Sequence, residues 1–326
     1  MAQGMAVVRA DRSAIKAAAD ALRRGELVAF PTETVYGLGA DATNSRAVAA
    51  LFAAKGRPRF NPLIAHVADV AAAARLGELA ASGRRLAAAF WPGPLTLVVA
   101  RRADCPVADL ATAGLATLAL RVPAHPVAQL LLGDVDRPIA APSANRSGHV
   151  SPTTAEHVAT DLGEAIAAIL DGGASGIGLE STVVDVTGEP IILRPGGIAR
   201  ADIDRVIGRP VSVADGEPTR PASPGMAARH YAPATPLRLN ARDVGAGEAL
   251  LAFGTPIPHA GAVVNLSPSA DLAEAAANLY AALRALDRAG ATRIAAMPIP
   301  EEGLGEAIND RLRRAARAAS SPHNSP

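Results

Sequence analysis

Short apolar runs, each cut off by proline, glycine or a charged residue, alternate with helix-patterned segments along most of this chain. That alternation restricts it to an α/β architecture. Leu27–Phe30, Leu63–Val67, Leu95–Val99, Leu118–Val122 and Ile139–Ala141 read as strands. Thr182–Val186 and Ile191–Arg194 flank Gly188 and read as a hairpin. Between the strands, Ser13–Arg24 is amphipathic, with Asp11 or Ser13 as its cap and Gly25 as its end. Asn44 or Ser45 opens another helix through Ala54. These elements predict a mixed α/β domain of about 200 residues, in a strand order that pattern alone does not fix.

From about Arg209 to Pro236 the chain turns rich in Pro, Gly, Ser and Ala and loses its periodicity. Such a stretch is a linker or a functional loop. Beyond it, Leu237–Leu239, Ala249–Phe253, Ala262–Val264 and Arg293–Met297 alternate with helical segments, including Leu272–Ala289 and Leu304–Ala319. This pattern predicts a second, smaller α/β domain with a mainly parallel sheet. The expected division is 1–207, a connector over 208–235, a second domain over 236–319 and a frayed tail over 320–326.

Aromatic residues make up only 3% of the chain against 49% hydrophobic, so the cores must be built from Ala, Leu, Val and Ile. Basic and acidic residues number 32 and 31, a balance that argues against a dominant non-specific nucleic-acid surface and leaves room for a local basic cleft. Cys105 is the only cysteine, which excludes an intrachain disulfide and a Cys-based zinc site. No charged start followed by a long apolar run opens the sequence, and the lone cysteine fits a reducing compartment. A cytoplasmic location is expected, with no membrane association.

Lys16 and Lys55 are the only lysines in an arginine-biased chain. Lys55-Gly56-Arg57-Pro58-Arg59-Phe60-Asn61-Pro62 combines a point charge with planar forks in a segment broken by Gly and Pro, a composition suited to a polyanion. Helix capping accounts equally for Lys55 and Gly56, but not for the run from Arg57 to Pro62. A polar turn, Pro142–Gly148, can add neutral donors. Pro31–Asp41 sets Thr32 and Thr34 before Gly37 and Gly39, either an ordinary polar turn or a place where backbone can approach a ligand. His66 in its apolar strand is a core histidine or a hydrogen-bond partner for a carboxylate or hydroxyl. No carboxylate or cysteine cluster stands near it at metal spacing, so no metal site of protein side chains is expected.

Arg121 and Arg194 each end a strand, where an arginine can pair with a carboxylate or simply snorkel. The Gly-rich loop Asp171–Thr182 matches neither a Walker loop nor a dinucleotide fingerprint, and ends in Ser181 and Thr182. Within the connector, Ser223–Pro233 carries Met226, Arg229, His230 and Tyr231, more than a tether needs, and reads as a closing loop or an interface peptide. No Ser–His–Asp order and no Gly-x-Ser-x-Gly elbow is present. The chemistry indicated is positioning and charge stabilisation.

Taken together, Pro31–Asp41, Lys55–Val67, Trp91–Val99, Leu120–Pro123, Ala141–Pro152, Asp171–Val186, Leu193–Gly197 and Ser223–Pro233 make the chain resemble the YrdC-like threonylcarbamoyl-AMP synthases in their long two-domain form. The resemblance implies a twisted open mixed-sheet α/β domain with a concave basic cleft, plus a smaller Rossmann-like α/β domain. It implies conversion of L-threonine, bicarbonate and ATP, with Mg²⁺, to L-threonylcarbamoyl-AMP and pyrophosphate. A downstream tRNA threonylcarbamoyl-transferase complex would use the product, and weak contact with tRNA stays open. The family's Lys-x-Arg and Ser-x-Asn signature falls on Lys55, Arg57, Ser143 and Asn145. Lys55 and Arg57 would be catalytic; Asn61, Thr117, Ser143, Asn145, Ser151, Arg194 and Tyr231 would join them around ATP. Thr34, His66, Arg121, Ala141 and Ser181 would hold L-threonine. A double-stranded RNA or tRNA-binding module and a nucleotide-binding paralogue without synthase activity are the competing readings. A hydrogenase-maturation carbamoyltransferase would require cysteine-rich zinc modules that Cys105 alone cannot supply.

Overall fold

The computed structural model describes residues 6–214 and 231–319. The segment 215–230, which holds most of the sequence taken as a closing loop, and the tail over 320–326 lie outside the described residues. The chain builds a twelve-stranded mixed sheet and a four-stranded sheet. No helix among the described residues is long and apolar enough to cross a membrane.

Local chemistry sets the helix boundaries. Asp11 caps Arg12–Arg23 by accepting from the Ala14 N–H at 2.8 Å. That helix buries Ile15, Ala18, Ala19 and Leu22, one face at helical spacing. Asn44 caps Ser45–Lys55, and Gly56 ends it in the left-handed conformation. Here the buried positions are Ala47, Val48, Leu51, Phe52 and Lys55. The helical period therefore places Lys55 on the apolar face, where it is 3% exposed.

The part of the large sheet that matters for function runs in the order Ile139–Ala140, Ile64–His66, Thr117–Arg121, Leu95–Arg101, Thr182–Asp185, Ile191–Arg194. Ile64–His66 and Thr117–Arg121 are parallel with His66 opposite Arg121, so these two side chains leave the sheet side by side. Thr182–Asp185 and Ile191–Arg194 form the antiparallel hairpin, with Val183 opposite Arg194. Arg121, Ser181 and Arg194 are thereby brought to one end of neighbouring strands.

Five strands have no counterpart in the sequence-based expectation: Ala6–Arg9, Gly37–Asp41, Gly77–Glu78, Ala168–Asp171 and Ser212–Val213. The second changes the meaning of two glycines. Gly37 and Gly39 lie in a fully buried strand, antiparallel to Val28–Phe30. A Cβ at Gly39 would stand 2.9 Å from the Phe30 ring, so that glycine makes room for packing and not for a ligand. Ser212–Val213, in the stretch read as connector, pairs with Ile191–Ile192 and extends the edge of the large sheet.

The second sheet is entirely parallel, in the order Leu237–Arg238, Arg293–Ala296, Glu248–Ala252, Val263–Asn265. Helices Leu272–Asp287 and Gly305–Ala319 accompany it. Its core is continuous with Val35, Val150, Leu179 and Tyr231 of the neighbouring segments. At Gly178 (φ 73°) the Gly-rich loop lies so close to helix Leu272–Asp287 that a Cβ would meet the Ala276 carbonyl at 2.4 Å. Arg284 of that helix reaches Asp161 at 2.6 Å, a second tie between the two sheets' layers.

Candidate active site

Arg57, Arg121 and Arg194 converge on one small cavity of about 40 Å³. Thr34, His66 and Ala141 line it from one side, and Ser143, Ser181 and Tyr231 complete it. The five residues selected from sequence as amino-acid ligands thus meet four of the nine selected as nucleotide ligands, Arg57, Ser143, Arg194 and Tyr231. A larger open depression of about 770 Å³, bordered by Arg75, Arg102, Arg137 and the acids Asp69, Asp104 and Asp136, shares no lining residue with it. Size does not select the site here. The smaller cavity collects buried cations, hydroxyls and shifted titrations, and in the larger one Arg102 pairs with Asp104 and Arg137 with Asp41.

On the amino-acid side, Arg121 is 4% exposed. It donates to Thr34 Oγ1 at 2.9 Å, to Glu33 Oε1 at 2.6 Å and to the Gly93 carbonyl at 3.3 Å. Burial pushes the Glu33 carboxyl up, and the Arg121 charge and hydrogen bond more than offset this, leaving it below the ordinary range. His66 is buried, with Nδ1 3.3 Å from the Ile64 carbonyl. Burial, aided by the neighbouring Arg121, lowers its pKa to about 3, so the imidazole is neutral at physiological pH. Ser181 Oγ shares a 2.7 Å hydrogen bond with Thr96 Oγ1.

On the other side, Arg194 Nη2 donates to the Ser181 carbonyl at 2.8 Å and to its hydroxyl at 3.2 Å. Arg57 donates to the carbonyls of Asn61 and Pro62 at 3.3 and 3.0 Å. Desolvation brings Arg57 down to about 10 and also lowers Arg194. Asn61 is buried, and its Oδ1 has no hydrogen-bond partner.

Lys55 does not line the cavity. Its ammonium donates to the Ser143 carbonyl at 2.5 Å and to the Asn145 carbonyl, bracing the polar turn from behind. Burial, then the charge of Arg57, holds it well below the usual lysine range. Ser143 Oγ donates to Asn145 Oδ1 at 2.5 Å, and Asn145 Nδ2 donates to the Arg146 and His149 carbonyls. Ser151 is buried and donates to Glu180 Oε1 at 2.6 Å. Thr117 is set apart: it starts the strand that Arg121 ends, roughly 13 Å away along the chain at strand rise.

Two carboxylates that sequence reasoning missed are part of the site. Glu33 holds Arg121, and Glu180 lies in the cavity wall. Burial alone would raise the Glu180 carboxyl, but Arg311, Arg194 and the Ser151 hydrogen bond hold it at about 2. Each adjoins a selected hydroxyl residue, Thr34 and Ser181, which was the available signal. Tyr231 is fully buried, stacked on Tyr280 at 5.8 Å between centroids, with the Arg311 guanidinium 4.9 Å from its ring centre. Among the described residues no group of three or more His, Cys, Asp or Glu is placed to hold a metal ion.

A family model described as "Telomere recombination", named for Sua5, YciO and YrdC, matches residues 20–196. A second, "Threonylcarbamoyl-AMP synthase, C-terminal domain", matches 198–317. A Bacillus subtilis protein named threonylcarbamoyl-AMP synthase is 44% identical over 93% of this chain and 92% of its own length. The chain belongs to the Sua5/YrdC family of threonylcarbamoyl-AMP synthases. A Pyrococcus abyssi family member of the same name is 43% identical, covering 93% of this chain and 94% of the relative. The crystal structure of P. abyssi Sua5 complexed with L-threonine superposes with a TM-score of 0.88 at 41% identity, covering 95% of this chain and 96% of that one. The family's two-domain form is therefore matched along almost the whole chain.

Proposed function

We propose that this protein makes L-threonylcarbamoyl-AMP and pyrophosphate from L-threonine, bicarbonate and ATP. The observation that carries the reading is the junction at Ser181, where the Arg121–Thr34–His66 side of the cavity meets the Arg57–Arg194 side. The family relative solved with L-threonine supports an amino acid in the equivalent fold. In this reading Arg121 takes the L-threonine carboxylate, while Thr34, His66, Ser181 and the backbone at Ala141 orient its polar groups. Neutral His66 can accept or donate without adding repulsion to Arg121. The amine stays unprotonated and exposed to carbon dioxide derived from bicarbonate; an N–C bond forms and the amine loses its proton, giving a carbamate. A carbamate oxygen then bonds to the α-phosphorus of ATP as the α–β bridging P–O bond breaks, and pyrophosphate leaves.

Aligned reactants and neutralised phosphate charge are what such a displacement needs. Arg57 and Arg194 provide the charge, with Asn61, Ser143, Asn145 and Ser151 at the nucleotide's edge. Lys55 holds the Ser143–Asn145 turn that borders the nucleotide. Mg²⁺ bound to the triphosphate as part of the substrate would supply further charge neutralisation. A cavity of about 40 Å³ is far smaller than these substrates, so binding must part the side chains that close it, with Tyr231 among them. Exclusion of water suits a carbamate and a mixed anhydride, both of which hydrolyse readily.

We place residues 1–207 as the catalytic unit, 208–235 as connector and 236–319 as the second domain. A cytoplasmic setting, with a tRNA threonylcarbamoyl-transferase complex as consumer of the product, completes the proposal. The test is isotopic: with ¹³C-bicarbonate, ATP and L-threonine, the purified protein should yield an adenylate carrying the label in its carbamoyl carbon. An unlabelled adenylate, or none, would refute the reaction.

A further inference from the structure

Arg311 belongs to helix Gly305–Ala319 of the second domain, yet it is fully buried against the first domain's cavity. Its Nε donates to Glu180 Oε2 at 2.9 Å, and its Nη2 donates to the Pro195 carbonyl at 3.0 Å. Glu180 directly precedes Ser181, and Pro195 comes directly after Arg194. One guanidinium therefore ties together the two segments that carry Ser181 and Arg194. The Glu180 carboxylate is completed by Ser151 Oγ at 2.6 Å and Tyr280 OH at 2.8 Å, and the Gly197 N–H closes on the Glu180 carbonyl at 2.9 Å. Docking alone does not call for this arrangement. The Arg284–Asp161 ion pair already joins the domains, and neither of its residues lines the cavity.

We propose that Arg311 is a positioning residue: by bridging Glu180 and Pro195 it sets the spacing between Ser181 and Arg194, so that the second domain completes the substrate site. The proposal rests on the proposed function, in which Ser181 and Arg194 face L-threonine and ATP. A planar fork fixes the separation of two acceptors through its own rigid geometry, whereas a compact lysine ammonium on a flexible stem leaves that separation free to vary.

The test uses the full chain in two forms. One is Arg311→Lys; the other pairs Arg311→Gln with Glu180→Gln, so that no buried charge is left without a partner. Urea unfolding checks that each variant is folded at the assay temperature. Pyrophosphate release gives KM and kcat for L-threonine and ATP, and hydrogen exchange reads residues 179–182 and 194–197. Both KM values should rise about tenfold or more with a smaller change in kcat, and both segments should exchange faster. A merely structural arginine would lower the unfolding midpoint and the amount of active enzyme, hence kcat, and leave KM alone. Wild-type KM values in a folded variant, or unaltered exchange at both segments, would overturn the proposal. Where Arg311→Lys does not fold, the neutral pair carries the same expectations. Should the wild-type chain itself release no pyrophosphate, the functional reading fails, and the exchange measurement still decides whether Arg311 ties the two segments.

Discussion

Arg194 binds Ser181 twice, through the carbonyl at 2.8 Å and the hydroxyl at 3.2 Å. This contact joins the half of the cavity proposed to take the phosphates of ATP to the half proposed to take L-threonine. The reactivity expected of the protein depends on that adjacency, and each half can be tested separately.

Arg121 is the expected anchor for the L-threonine carboxylate. Arg121→Gln should raise the KM for L-threonine by about 10- to 100-fold, the worth of a charged, bidentate contact. The KM for ATP should change much less. Steady-state pyrophosphate release checks this, and an equal loss for both substrates would show that Arg121 acts on the whole cavity.

Lys55 sits buried with its pKa well below the ordinary 10.5, chiefly through desolvation. Its ammonium holds the Ser143 and Asn145 carbonyls of the polar turn. Lys55→Met should therefore reduce turnover by about 100-fold or more. Steady-state pyrophosphate release measures the loss, and wild-type turnover in a folded Lys55→Met chain would remove Lys55 from the working site.

His66 predicts a pH dependence of stability. Its folded pKa of about 3 lies below the ordinary 6.5, so the unfolded chain binds the extra proton as pH falls. The stabilisation is complete above 6.5 and is lost progressively below it. Glu180, at about 2 against an ordinary 4.5, contributes in the same direction only below 4.5. Between pH 6.5 and 4.5, where His66 acts and Glu180 does not, His66→Gln should flatten the slope of unfolding free energy by up to about 1.4 kcal/mol per pH unit. Urea titrations from pH 7 to 5 measure it; parallel slopes would mean that His66 is not buried as neutral imidazole.

Gly178→Ala should destabilise the chain by about 2 kcal/mol or more, because its left-handed backbone and the nearby Ala276 carbonyl both resist a Cβ. Chemical denaturation reads the cost. A neutral substitution would show that the Gly-rich loop does not rest on helix Leu272–Asp287.

Much of this arrangement could be read from residues in order. The helix period that buries Val48, Leu51 and Phe52 also buries Lys55, and Asp11 and Asn44 cap where side-chain chemistry predicts. Strand ends at Arg121 and Arg194 were legible because a proline stands close after each. What remained hidden depends on distance along the chain. The strand Gly37–Asp41 has too many glycines to show β propensity, and only Phe30 packed against Gly39 explains it. Glu33 and Glu180 become site residues through partners 88 and 131 positions away, Arg121 and Arg311. Thr117 shows the converse: it shares a strand with Arg121 but stands at the opposite end.

Pyrophosphate release by the purified full chain, with ATP, bicarbonate and L-threonine each left out in turn, bears most directly on the junction at Ser181. Release should require all three compounds. Release that persists without L-threonine or bicarbonate, or none when all three are supplied, would contradict a cavity in which both halves work together.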